Sequence, residues 1–184
     1  MKNLYFLILF LLTPLLFFAQ SYNVDTSKSN VEWLGEKTTG SHNGTLLIQD
    51  GFIKVDKTGV ITEGEFTLNM ESIKCSDLQG SKKEYLEDHL KDEDFFNTKE
   101  HPTASFKITK VSGNKILGIM TIKGISKPIS FHYKQNGELQ YHANIVIDRT
   151  MFDVKYKSKT IFKDLGDNFI YDDFTITLNP IVFK

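Results

Sequence analysis

Across most of the chain, apolar residues recur at every second position. Phe66, Leu68 and Met70 alternate with Glu65, Thr67, Asn69 and Glu71, and Ile129, Phe131 and Tyr133 alternate with Ser130 and His132. Leu139, Tyr141, Ala143, Ile145 and Ile147 form a third run, and Phe174, Ile176 and Leu178 a fourth. A period of two places one face of a strand in a core and the other in water. Between the runs lie Asn43-Gly44, Asp50-Gly51, Ser112-Gly113-Asn114, Asn136-Gly137 and Gly166-Asp167-Asn168, residue types that tolerate the positive φ of tight hairpins. About eight antiparallel strands are expected, the range of a closed barrel or a sandwich. The chain reads as all-β.

One segment departs from this period. Ser81-Lys82-Lys83-Glu84 has the form of a capping box, and Tyr85, Leu86, His89 and Leu90 follow at helical spacing. A short amphipathic helix over about residues 81–91 is expected. No repeat or linker divides the rest, so residues 20–184 read as one domain. A strand of ten residues tilted by some 40° gives a barrel about 25 Å tall, whose interior is either filled by side chains or holds one small ligand.

The first residues read differently. Lys2 is followed by an apolar stretch from Leu4 to Phe18, interrupted by Pro14 and closed by the small Ala19. That order is the pattern of an export signal over residues 1–19, and the stretch falls short of the roughly 20 apolar residues a membrane helix needs. A periplasmic or secreted protein is expected, with no stable membrane span after cleavage. Beyond residue 19 the chain holds 21 basic and 23 acidic residues, a net charge of −2. No basic excess exists for a nucleic acid, and no polybasic run for anionic lipid headgroups. Cys75, the only cysteine, excludes an intrachain disulfide and a cysteine metal cluster.

Residues that could carry chemistry are sparse. His42, His89, His101, His132 and His142 show no H-x-x-x-H pairing, so no metal site is expected. Gly40-Ser41-His42-Asn43-Gly44 lacks the order and context of a nucleophile elbow. Asp88, Asp92, Glu93 and Asp94 read as a solvated face, and Cys75 as a small inert residue. No catalytic residue and no cofactor is expected. Arg149 stands out as the only arginine in a chain that otherwise uses lysine. A planar fork of fixed donors suits a specific carboxylate or backbone-carbonyl partner. Two roles fit, a barrel-end salt bridge or contact with a ligand headgroup.

A set of short motifs runs in order along the chain. Tyr22-x-Val24-Asp25, Ser29-x-Val31-x-Trp33, His42-Asn43-Gly44 and Gly51 come first, then Ser72-Ile73, Asp77 and His89-Leu90-Lys91-x-x-x-Phe95-Phe96. His101-Pro102-Thr103-Ala104-Ser105-Phe106, Thr121-Ile122-Lys123-Gly124-x-x-Lys127-Pro128 and Ile147-Asp148-Arg149-Thr150-x-Phe152 complete it. Together, from about residue 21 to 183, they resemble the YceI-like family of exported bacterial barrels associated with polyisoprenoid lipids. His101 stands where many members carry an aromatic, and Asp153 where a glycine is common.

The resemblance implies an antiparallel, eight-stranded, lipocalin-like barrel with a helix closing part of it. It also implies an apolar lumen for an isoprenoid or similar chain, with no cofactor. Trp33, Phe66, Leu68, Phe106, Ile119, Phe131, Ile147, Phe152 and Phe174 are the inward candidates for that lumen, each also readable as packed core; Arg149 is the headgroup candidate. The expected partner is a polyisoprenoid, quinone-like or other long-chain amphipathic lipid, held for transport or storage, and a homodimer is left open. Two other classes stand beside this one. A lipid-modifying enzyme on the same barrel would need a polar cluster inside the lumen, and a ligand-free envelope or stress protein would show a solid core.

Overall fold

The computed structural model describes residues 19–184; the expected export signal at residues 1–19 lies outside them except for Ala19. The strands are β1 (Gln20–Asn23), β2 (Val31–Lys37), β3 (Gly40–Val55), β4 (Ile61–Cys75), β5 (Thr103–Ser112), β6 (Lys115–Ile122), β7 (Ile125–Gln135), β8 (Gln140–Asp148) and β9 (Ile170–Val182). One helix, α1 (Gly80–Lys91), joins β4 to β5, and a 3-10 turn (Arg149–Phe152) follows β8. The order β3-β2-β9-β8-β7-β6-β5-β4 closes through β3–β4 pairing into an eight-stranded antiparallel barrel. β1 adds an extra strand beside the far half of β3. The expected barrel is what the chain forms.

Two of the five turn signals are not turns. Asn43-Gly44 and Asp50-Gly51 lie inside β3, whose register shifts at bulges beside Leu47 and Asp50. Gly44 is there because strands crowd it. A Cβ at that position would sit 1.7 Å from the Lys74 carbonyl oxygen and 2.7 Å from the Trp33 ring. The absent side chain permits close approach rather than a positive φ.

The helix appears where its period placed it, with a different start. Gln79 precedes the first turn without a side-chain cap, so Ser81 lies within the helix and the expected capping box is not formed. Nor do all four apolar-face residues turn inward: Leu90 is buried, while Tyr85 is exposed. What fastens α1 is an acid, Glu87. Its carboxylate accepts from the Cys75 backbone N–H at 2.8 Å and from Lys74 Nζ at 3.1 Å, with Lys83 beside it at 3.8 Å. The N–H at the end of β4 is thus satisfied by a side chain of α1. Burial works to raise the Glu87 pKa, and these partners outweigh it and hold the carboxyl below its ordinary value.

The strand ends near Lys37, Cys75, Thr103, Ile125, Asp148 and Ile170 share one end of the barrel, the end carrying α1 and the 153–169 loop. The wall is not uniformly closed. β7 pairs with β6 from Ile125 to His132, but with β8 only through Tyr133–Ala143, Lys134–His142 and Gln135–Tyr141. Toward the α1 end, β7 and β8 therefore diverge into a seam, and the 3-10 turn packs against β7 and β9 there. Asp153, closing that turn, adopts φ 60° and ψ 23°. This left-handed conformation accounts for an aspartate at a place suited to glycine.

Candidate functional site

The inward faces of the strands surround a cavity of about 180 Å³. One water needs roughly 10–15 Å³ of such space, so the barrel is hollow well beyond packing defects. Its wall is apolar, built from Ile48, Ile53, Met70, Ile73, Ile108, Ile116, Met120, Ile145 and Ile176 with a set of aromatic rings. Phe106 and Phe131 lie 5.4 Å apart, Phe66 and Phe183 6.1 Å, and Phe96 and Phe174 6.4 Å. Several inward side chains (Trp33, Phe66, Leu68, Phe96 and Phe174) are only partly buried, as expected where a wall faces open space rather than a packed partner. A solid core is not what this barrel has.

Trp33, Phe66, Leu68, Phe106, Phe131, Ile147, Arg149 and Phe174 all line the cavity. Ile119 does not. Along β6 it is Ile116, Gly118, Met120 and Ile122 that point inward, which puts Ile119 on the opposite, half-buried face. β6 is apolar on both faces, so its period of two fits either register. Gly118 decides it, because the Phe106 ring occupies the place of its side chain, 2.3 Å from a Cβ built there. Phe152 is also misplaced as a wall residue. It is fully buried in the 3-10 turn, packed in the core outside the cavity lining.

Ile53, Met70, Leu90, Phe95 and Phe96 are wall residues that the inward candidates omit. The helical spacing of Leu90 and the Phe95-Phe96 pair was the available signal for the end nearest α1.

Arg149 lies at that end, 2% exposed. Its Nε donates to the Tyr171 carbonyl at 3.0 Å, Nη1 to Val154 at 2.8 Å and Nη2 to Ile170 at 3.1 Å, with the Asp172 carboxylate 3.6 Å away. The Phe95 ring sits 5.8 Å from the guanidinium carbon. Burial pushes the Arg149 pKa down, with Asp172 and Asp148 opposing, and it remains charged at physiological pH. The fork is spent on carbonyls from both ends of the 153–169 loop. Of its two expected roles, the geometry matches the structural one.

Other polar groups on the wall are few. Tyr133 and Tyr141 lie 5.8 Å apart, and burial raises both phenol pKa values. Among the described residues no group of three His, Cys, Asp or Glu side chains is arranged to hold a metal ion. A linked titratable cluster lies near the β3 and β4 strand ends, away from the cavity lining. His42 Nδ1 lies 2.8 Å from Asp77 Oδ2, while the Asn43 N–H and the Cys75 thiol donate to Oδ1 at 3.0 and 3.2 Å. Burial raises the Asp77 carboxyl pKa, but these three partners hold it at about 2 against an ordinary 3.8. A pKa depressed by folding stabilises the fold above the unfolded value and ceases to as pH falls through the folded one. Asp77→Asn is therefore expected to flatten the loss of melting temperature between about pH 4 and pH 2, by an amount that solvent screening limits to about 1 kcal/mol. Thermal melts of both proteins across that interval check it; parallel curves would show that Asp77 is not the group.

A barrel with an accessible apolar lumen and a helix at one end defines the lipocalin-like class of hollow barrels. Residues 22–180 match the YceI-like domain, and the chain belongs to that family. It is 34% identical over 86 residues to a UPF0312 protein of Staphylococcus aureus (strain N315), a match covering 45% of this chain and 50% of that protein. The chain thus spans about half the length of the curated relatives it matches.

Solved structures share the fold at lower identity. BcnA of Burkholderia cenocepacia superposes with a TM-score of 0.63 at 23% identity, covering 86% of this chain and 99% of that one. A polyisoprenoid-binding domain from Saccharophagus degradans, described as implicated in plant cell wall breakdown, gives 0.60 at 11% identity over 89% and 97%. A mutant of the Campylobacter jejuni YceI protein, solved with a monobromobimane guest, gives 0.53 at 19% identity over 77% and 80%.

Proposed function

We propose that the chain is an exported lipid carrier whose barrel lumen holds an amphipathic isoprenoid, polyprenyl or quinone-like, or a related long-chain lipid, for transport or storage. The observation that carries this reading is the hollow apolar wall. Each five-carbon isoprene unit moved from water onto such a wall contributes roughly 4 kcal/mol before the cost of ordering the chain. A Saccharophagus degradans neighbour described as polyisoprenoid-binding points the same way, and the apolar leader at residues 1–19 supports export to the periplasm or beyond. The reading is one of binding, not catalysis.

Native mass spectrometry of protein purified gently from its own envelope, followed by solvent extraction, tests it directly. A discrete adduct released by organic solvent is expected; a bare mass together with no uptake of added prenyl or fatty lipids would overturn the proposal. A variant locates the site. Leu68 faces the lumen and is only partly buried, so Leu68→Trp extends into open space. Lipid uptake is expected to fall at least about tenfold while the melting temperature changes by only a few degrees, since filling a void avoids most of the overpacking cost. Undiminished uptake would place the lipid elsewhere.

A further inference from the structure

The loop between the 3-10 turn and β9 carries a basic and apolar surface that the lumen does not explain. Lys155, Lys157, Lys159 and Lys163 are spaced along this loop of a domain of net negative charge; Lys155 pairs with Asp153, and Asp164 and Asp167 follow Lys163. The absence of a basic run for lipid headgroups is true of consecutive residues and fails for this spaced set. Ile161 and Phe162 form its tip and are 42% and 47% exposed. Nothing about folding calls for two large apolar side chains in water between Lys159 and Lys163. Among the described residues, neither of those lysines has a carboxylate partner; Lys159 lies over the Phe169 ring, 4.6 Å away.

The base of the loop is fixed, and Phe162 borders an open surface groove with Tyr156, Lys157 and Leu165 beside Glu93, Asp94 and Asp153. Arg149 ties Val154 to Ile170 and Tyr171, and Thr160 donates to Asp172 at 2.6 Å beside the fully buried Ser158. Tyr156 packs against His89 of α1 at 4.4 Å and Phe95 at 6.5 Å. The same Arg149, Ile170, Tyr171 and Phe95 also line the lumen. The basic, apolar-tipped surface is thus continuous with the barrel end bearing α1.

We infer that this loop docks the barrel on an anionic lipid bilayer, Ile161 and Phe162 entering the interface while the flanking lysines meet the headgroups. Paired apolar anchors and cations are the two signals that peripheral membrane binding combines. The docking stands on the loop alone; its use, exchange of cargo between bilayer and lumen, rests on the carrier reading.

The test reads the loop tip itself in the full chain. Phe162→Cys carries an environment-sensitive fluorophore, and Val60→Cys carries the same label in the β3–β4 hairpin, at the other end of the barrel; Cys75 is buried and does not compete. With vesicles of phosphatidylglycerol and phosphatidylcholine, a blue shift is expected at position 162 and none at position 60. Lys159→Glu with Lys163→Glu should weaken the response at least about tenfold, and raised salt should weaken it too. No shift at 162, an equal shift at 60, or a response indifferent to the charge reversals would each overturn the inference. Adding Leu68→Trp to the labelled chain separates the two proposals. Failure of the lumen as a lipid site leaves the shift at 162 intact, whereas failure of docking leaves lipid uptake intact.

Discussion

Arg149→Ala is expected to lower the unfolding midpoint by about 10 °C, and Arg149→Lys to recover only part of that loss. The guanidinium is 2% exposed and serves the carbonyls of Val154, Ile170 and Tyr171, with Asp172 alongside. Alanine leaves the three carbonyls without their donor and the partly buried Asp172 without its nearest cation, a loss of about 3–5 kcal/mol for a broken buried charged group. At roughly 2–4 °C per kcal/mol for a domain of this size, that is about 10 °C. Lysine restores the charge, but a single ammonium cannot reach three divergent carbonyls. Calorimetry of the three proteins checks this. Equal melting of wild type and Arg149→Lys would mean that charge alone is required and that the fork is incidental.

Gly44→Ala should be worse. The new methyl would lie 1.7 Å from the Lys74 carbonyl oxygen, which is backbone and cannot swing aside. The Trp33 indole, which donates to that same carbonyl at 3.2 Å, would be displaced with it. Relief requires parting β3 from β4, the pairing that closes the barrel. A loss above about 4 kcal/mol is expected, in the range reserved for clashes and broken networks, and soluble yield should fall with it. A control at Gly35, where nothing lies within 4 Å of a built Cβ, should cost little. Comparable melting of the two variants would show that the strands yield at Gly44 more readily than their packing implies.

Much of this architecture is written in local periodicity, and what is missing from it is long-range. The alternating runs at 66–70, 141–147 and 174–178 identify their inward faces correctly because one face of each is polar enough to mark register. β6 has apolar residues on both faces, and only its contact with Phe106 of β5 settles which points in. Asn43-Gly44 has the composition of a hairpin turn. Its glycine answers instead to Lys74, thirty residues further along, which no local pattern reveals. The same holds for Arg149. The kind of partner its fork needs was legible, but not that the carbonyls would come from both ends of a loop closing some twenty residues later. The hollow interior belongs to neither category, since the same aromatic residues could have filled the lumen and only their mutual placement leaves it open.

The divergence of β7 and β8 carries a liability of a different kind. Between Ile125 and His132 the backbone of β7 lacks a strand partner on one side, as does that of β8 from Asn144 to Asp148. Unpaired edges recruit strands from other chains, the first step toward amyloid-like stacking, and Val146 adds an apolar face there at 63% exposure. β7 carries two deterrents within that stretch. Lys127 places charge on the edge, and Pro128 offers no N–H to a second chain. Replacing them would leave the barrel's own ladder largely as it is and remove what guards it from its copies. A wall left partly unzipped is tolerable in solution only with such gatekeepers beside it.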